Sequence, residues 1–238
     1  MKLSHLAVHK LNKKPFYYSF VCNILKGEIM AFFDIFRRSA GELKSIRCLC
    51  VTAVLIALDL ALKSVTIYLP FCKISVAFVA MAAIGMLFGP VVGFMAGAIT
   101  DILGLLIAQQ MDAFNPIFTI VEMMGGLLYG LFLYDFEAVK PDFSGGKAFF
   151  KSIGANWRPV LRIVLAKLAV IVICNLFLNT WFQVLAGIIV PETFSVKFAA
   201  RVGTNFIKMP FDILLMLLTL YPIKAAYKAV FKRKNQAA

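Results

Sequence analysis

Histidine is almost missing from this sequence: His5 and His9 are the two copies, both ahead of every long apolar run and outside any HExxH spacing. The ligand pattern of a membrane metalloprotease is therefore excluded. A Walker A run is missing too, so any work against a gradient must draw on ATP hydrolysed by partner subunits. Acidic residues are few, 12 Asp and Glu against 25 Lys and Arg, which leaves a net charge of +13. The five cysteines are scattered at 22, 48, 50, 72 and 174. Cys48-x-Cys50 has neither the spacing nor the second pair of a zinc or redox site, and all five read as small apolar packers. Ser144-Gly145-Gly146 falls in a charged link with no histidine partner and reads as a turn. No cofactor or metal is expected.

What the chain does have is apolar residues: 61% of its 238 positions, 23 of them Phe, well above the roughly 45–50% of soluble domains. A hydrocarbon core about 30 Å thick takes about 20 apolar residues per helical span. Apolar runs and breakers mark six candidate spans near 46–67, 74–88, 90–108, 116–134, 159–187 and 202–222. The expected fold is an all-α integral membrane protein, six transmembrane helices in one compact bundle. Basic residues crowd the region from Lys2 to Arg47, the tail from Lys224 to Lys234, and the 135–158 link through Lys140, Lys147, Lys151 and Arg158, while 109–115 carries none. By the positive-inside rule, both termini and that link are cytoplasmic, and the chain sits in the cell membrane. Basic residues placed between apolar spans do not form the shared soluble face that nucleic acid requires.

Three regions follow. Residues 1–45 form a cytoplasmic extension in which Phe32, Phe33, Ile35 and Phe36 beside Arg37 and Arg38 suit an amphipathic helix on anionic lipid. Residues 46–222 form the six-helix domain, and 223–238 a basic cytoplasmic tail. Residues 1–29 fit no signal peptide, and Met30 is the expected physiological start. Gly89-Pro90 predicts a helix break, whose freed backbone groups must be buried in protein or line a cavity.

Ionisable groups within spans cost roughly 2.5–3.5 kcal/mol each on insertion scales, so Asp59, Asp101, Glu122, Lys167, Lys208 and Asp212 each need a reason. Lys208 and Asp212 at i,i+4 are expected to neutralise each other, as are Asp59 and Lys63. Lys167, near the end of its span, is expected to snorkel. Asp101 lies deep in the third span with no basic residue within a turn, which makes it a ligand candidate, and Glu122 shares its depth. Asn175 and Asn179 share a helical face beside Thr180 and Trp181. Amides there suit a heteroaromatic edge and Trp181 a flat ring; the alternative is interhelical hydrogen bonding plus an interfacial Trp. Arg201, with Lys208, supplies fixed charge for an anionic ligand, the alternative being a plain interfacial Arg. Ala53, Ala57 and Ala61, like Gly93-x-x-x-Gly97 and Gly126-x-x-x-Gly130, recur at a spacing that permits close helix approach.

Four passages, "ELKSIRCLCVTAVLIALDLAL", "GMLFGPVVGFMAGAITDILG", "FTIVEMMGGLLYGLF" and "NLFLNTWF", together resemble the S component of energy-coupling-factor (ECF) vitamin transporters, and the last two are most similar to the folate-specific branch. That resemblance implies a six-helix subunit, not an enzyme, that binds its vitamin at the extracellular side. The subunit then docks on a transmembrane scaffold subunit with two ABC-type ATPases and topples in the membrane to release cargo inward. It also implies a scaffold-contacting face at Ala53, Ala57 and Ala61. The pocket set is Asp101, Asn175, Asn179, Thr180, Trp181, Arg201 and Lys208, with amides or Asp101 on a pterin edge, Trp181 stacked on its ring, and Arg201 and Lys208 on the glutamate tail. The links 109–115 and 188–201 are expected to form the lid. The alternatives are another cargo (riboflavin, thiamine, biotin or a queuosine precursor) or a membrane-integral enzyme, which the missing histidines argue against. The 29-residue extension and Asp59 within the alanine face depart from the family pattern. The N-terminal mass of natively expressed protein should begin at Met30; peptides from residues 1–29 would overturn that.

Overall fold

The computed structural model describes residues 30, 32–68, 73–108, 114–136, 138, 157–187 and 193–232. Helix boundaries follow the breakers. Asn115 accepts from the Ile117 amide and Pro116 occupies the first helical position, the combination that starts a helix with its orphan donors satisfied. Gly89, at φ +88°, supplies a backbone turn open to glycine, and Pro90 starts the next helix directly.

The elements run as α1 (Phe32–Glu42) and α2 (Ile46–Ser64), bent 89° from each other, then a short antiparallel ladder of β1 (Ile67–Tyr68) and β2 (Lys73–Ile74) that pairs Ile67 with Ile74. Next come α3 (Phe78–Phe88), α4 (Pro90–Ile107) and α5 (Pro116–Leu133). A continuous helix α6 (Trp157–Leu185) is wound as π-helix over Val170–Leu178, and α7 (Phe194–Lys232) contains Pro210 and Pro222.

The chain is thus a bundle of helices in which α4, α5, α6 and α7 are each long and apolar enough to cross a membrane, and α1 with α2 qualifies only as a bent pair. Arg47, Asp59 and Lys63 keep α2 from qualifying alone. The third helix, at 11 residues, begins later than the sequence pattern predicts because residues 73–74 enter the ladder, whose two-residue strands are too short to leave an alternating signature. The expectations for residues 1–29, for the Ser144 turn, for Lys140, Lys147 and Lys151, and for residues 109–113 and 188–192 of the two lid links lie outside the described residues, while the rest of the second link, from Phe194, is the start of α7. So do Cys22 and Cys72. Cys48 and Cys174 are buried free thiols, as packers should be, whereas Cys50 is exposed.

The core centres on α3, whose Ala80, Ala82, Ala83, Ile84 and Phe88 are fully buried, and which packs on α2, α4, α5 and α7. The most extensive helix contact is between α4 and α5, where the two glycine stripes meet. A Cβ on Gly126 would collide with the Gly93 carbonyl, one on Gly97 with the Glu122 carbonyl, and one on Gly130 with Pro90. Small residues here let two backbones touch, the packing available where lipid leaves little hydrophobic drive between helices.

At the α3–α4 break, fully buried Ser39 of α1 donates to the Phe88 carbonyl at 2.7 Å and accepts from the Val91 and Val92 amides at 3.0 and 3.4 Å. One hydroxyl thereby serves a helix C-terminus and the next N-terminus. The same end of the bundle carries an Arg38–Asp135 pair at 3.7 Å, a hydrogen bond from Lys224 to the Phe136 carbonyl, and Arg47 4.7 Å from the centroid of the Phe231 ring. Gly126→Ala should lower the unfolding free energy in detergent by about 1–3 kcal/mol through overpacking. Gly125→Ala, where an added Cβ meets nothing within 4 Å, should be neutral or raise it by up to about 1 kcal/mol. Thermal melts of the two variants give the comparison.

Candidate functional site

Beyond Gly97 the helices part around a cavity of about 670 Å³, within the roughly 300–1,000 Å³ of small-molecule sites. Its wall draws Asp59 and Lys63 from α2, Phe78 from α3, Asp101 from α4, and Glu122 and Tyr129 from α5. Lys167, Asn175 and Asn179 come from α6, and Asn205, Lys208 and Asp212 from α7. So many polar side chains in one wall of an otherwise apolar bundle need mutual pairing, and they have it.

Asp59, only 1% exposed, pairs with Lys63 at 3.1 Å, and the same ammonium lies 3.9 Å from Glu122. Asp101 accepts from the Thr119 hydroxyl at 2.6 Å. Lys167 meets Asp212 at 2.8 Å and stands 3.6 Å from the centroid of the Phe78 ring, a cation–π contact strengthened by burial. The Arg201 guanidinium donates to Asn179 at 3.2 Å, to Thr180 at 3.3 Å and to Gln183 at 2.6 Å, and Gln183 in turn donates to Asn179 at 3.0 Å. Asn175 donates to Asn205 at 3.1 Å, and Asn205 to the Arg201 carbonyl at 2.8 Å. The Tyr129 hydroxyl is buried without a hydrogen-bond partner among the described residues. No group of three or more His, Cys, Asp or Glu among them could hold a metal ion.

A family model described as "ECF transporter, substrate-specific component" matches residues 47–220. The chain belongs to this family. A protein of Clostridium novyi named "Folate transporter FolT" is 28% identical over 170 residues, 71% of this chain and 84% of its own length. One of the same name from Leuconostoc mesenteroides is 29% identical over 133 residues, 56% of this chain and 61% of its own. Among solved structures, "Crystal structure of FolT bound with folic acid" superposes with a TM-score of 0.55 at 23% identity, over 72% of this chain and 91% of that one, a likeness in fold. ECF substrate-specific components are membrane transport subunits rather than enzymes.

In this ECF substrate-specific component, Asp101, Asn175, Asn179 and Lys208 line the cavity together. Arg201 stands behind the wall, joined to it through Asn179, and fully buried Thr180 sits with it. Trp181 is not among the residues lining the cavity: two residues past Asn179 on the same helix, it lies off that face and is 62% exposed, so the stacking role expected for it is not carried forward. The expected Lys208–Asp212 neutralisation is also corrected, since Asp212 pairs across helices with Lys167. Lys167 does not snorkel; at 6% exposure it is held inward by Asp212 and the Phe78 face. The expected Asp59–Lys63 pair is present. Asn175 and Asn179 do face the same cavity, within and at the end of the π-helical stretch, a geometry frequent at functional sites. Ala53, Ala57 and Ala61 are exposed on α2, and the first two edge a shallow apolar groove with Met95, Ile99 and Leu103 of α4.

Lys63, Tyr129, Asn205 and Gln183 were not among the site residues expected from sequence. Spacing held a signal for two of them, since Gln183 lies four residues after Asn179 and Asn205 four after Arg201. Asp212→Leu should cost about 3–5 kcal/mol of stability by stranding a buried ammonium. Adding Lys167→Met should recover most of that loss, as read by thermal unfolding of the single and double variants.

Proposed function

We propose that this chain is the substrate-binding subunit of an ECF-type ATP-driven importer whose cargo is folate. The observation that carries this is the polar cavity in a matched ECF substrate-specific component whose relatives bear the name of folate transporters. In this reading six helices, α2 to α7, cross the cell membrane with both termini cytoplasmic. The short α3 spans jointly with its neighbours, and α1, with exposed Phe32 and Phe33, lies on the inner leaflet. The cavity then opens outward, near the residue 109–115 and 188–201 links that close over the ligand.

Asp101 and the amides of Asn175 and Asn179 serve the heterocycle, since carboxylates and amides suit donor–acceptor base edges. Arg201, aimed through Asn179 and Thr180, and Lys208 serve the two tail carboxylates. Ala53, Ala57 and Ala61 offer a small-residue face, exposed among the described residues, to the transmembrane scaffold subunit, which also carries two ABC-type ATPases. Docking there lets the subunit topple and release folate inward.

Both Trp157 and Trp181 are largely exposed, so calorimetric titration suits the test better than intrinsic fluorescence. Folate should bind the detergent-purified chain saturably, without competition from riboflavin, thiamine or biotin. Arg201→Ala or Asn179→Ala should weaken binding about 10- to 150-fold, the range for hydrogen bonds to charged groups. Ala57→Leu should keep folate binding yet stop uptake by cells. Binding of another vitamin in place of folate would replace the cargo, and silence toward all four would refute the importer reading.

A further inference from the structure

The cavity is electrically two-sided. On the side built by α2, α4 and α5, three carboxylates, Asp59, Asp101 and Glu122, stand around one ammonium, Lys63. On α6 and α7, two lysines, Lys167 and Lys208, line the cavity with one carboxylate, Asp212, and Arg201 stands behind the wall at Asn179. The α2, α4 and α5 part of the wall thus carries an acidic excess and the α6 and α7 part a basic one.

The three carboxylates are not equivalent. Asp59 is buried and committed to Lys63 at 3.1 Å, and Asp101 already accepts a hydrogen bond from the Thr119 hydroxyl at 2.6 Å. Glu122 differs. Its nearest cation is 3.9 Å away, its side chain is 47% exposed, and it accepts no hydrogen bond from the described residues. Its backbone is held firmly, because its carbonyl oxygen lies where α5 touches Gly97. A fixed backbone with an uncommitted carboxylate on the cavity wall is a pre-positioned acceptor, and an ionised carboxylate can only accept. A group placed there must therefore donate.

We propose that Glu122 is a specificity-determining residue that accepts hydrogen bonds from the donor edge of the ligand's ring. The donor edge of the ring then faces α2, α4 and α5, its other edge the Asn175 and Asn179 amides of α6, and the anionic tail the bases Arg201 and Lys208 of α7. This rests on the folate reading and adds to it a residue and an orientation. A 2-amino pterin presents adjacent N–H donors that match a two-oxygen acceptor in the bidentate manner, while carboxylates in the reverse orientation would face the acidic wall. Lys63, between Asp59 and Glu122, limits the repulsion among the wall's own charges.

The test titrates the full-length purified chain, wild type and Glu122→Gln, with folate, with a folate analogue lacking the 2-amino group, and with p-aminobenzoyl-glutamate as the isolated tail. Glu122→Gln is nearly isosteric, and Glu122→Asp keeps the charge but withdraws it by one methylene. The wild type should prefer folate to the 2-desamino analogue by tenfold or more. Glu122→Gln should lose about that factor for folate, change little for the analogue and leave tail binding unchanged, with Glu122→Asp between. Equal losses for all three ligands would mean a structural role and overturn the inference, as would folate binding indifferent to residue 122. Failure of the wild type to bind folate would overturn the folate reading together with this inference.

Discussion

The backbone contact between α4 and α5 sets the geometry from which the rest follows. Gly93, Gly97, Gly126 and Gly130 remove every side chain between the two helices, so their carbonyls and α-carbons meet directly. Such contact leaves almost no rotational or axial freedom. Past its end the order of residues is set: Gly97 lies against Glu122, and one turn further Asp101 faces Thr119. Two carboxylates are thereby delivered to one wall from helices locked in register, and the cavity opens where the glycines stop.

Around that contact, charge is handled by pairing across helices rather than along them. Lys167 with Asp212 joins α6 to α7, Lys63 links α2 to α5 through Glu122, and Arg201 ties α7 to the amides of α6. Removing one partner from such a pair strands a charge whose desolvation is no longer offset, so each pair also fixes helix position. The result is a site assembled from six helices whose polar groups are largely satisfied before any ligand enters, least so at Glu122, which has only the 3.9 Å approach of Lys63, and at the Tyr129 hydroxyl.

At the opposite end, Ser39 bridges the α3–α4 break from α1, while α1 is also joined at 89° to the helix that carries the exposed alanine face. α1, the break and the helix that carries the alanines are therefore tied to one another, and the cavity is built from the far ends of the same helices.

Apolar run length, breakers and small-residue spacing are local properties, and they marked an all-helical apolar bundle, the break at Gly89-Pro90, and the glycine and alanine stripes. They also located most cavity residues, because a charge or amide within an apolar run stands out without any knowledge of neighbours. Partner choice is not local. Asp212 has Lys208 one turn away on its own helix, yet its ion pair is with Lys167 on another, and only the packing of α6 against α7 decides between them. Spacing already separates Trp181 from this pair: two residues past Asn179 it is exposed, while Asn175 and Asn179 line the cavity. The sequence by itself determined that costly polar groups sit in an apolar bundle; only the tertiary structure decided which of them satisfy one another and which remain for a ligand, since that depends on distances between helices far apart in the chain.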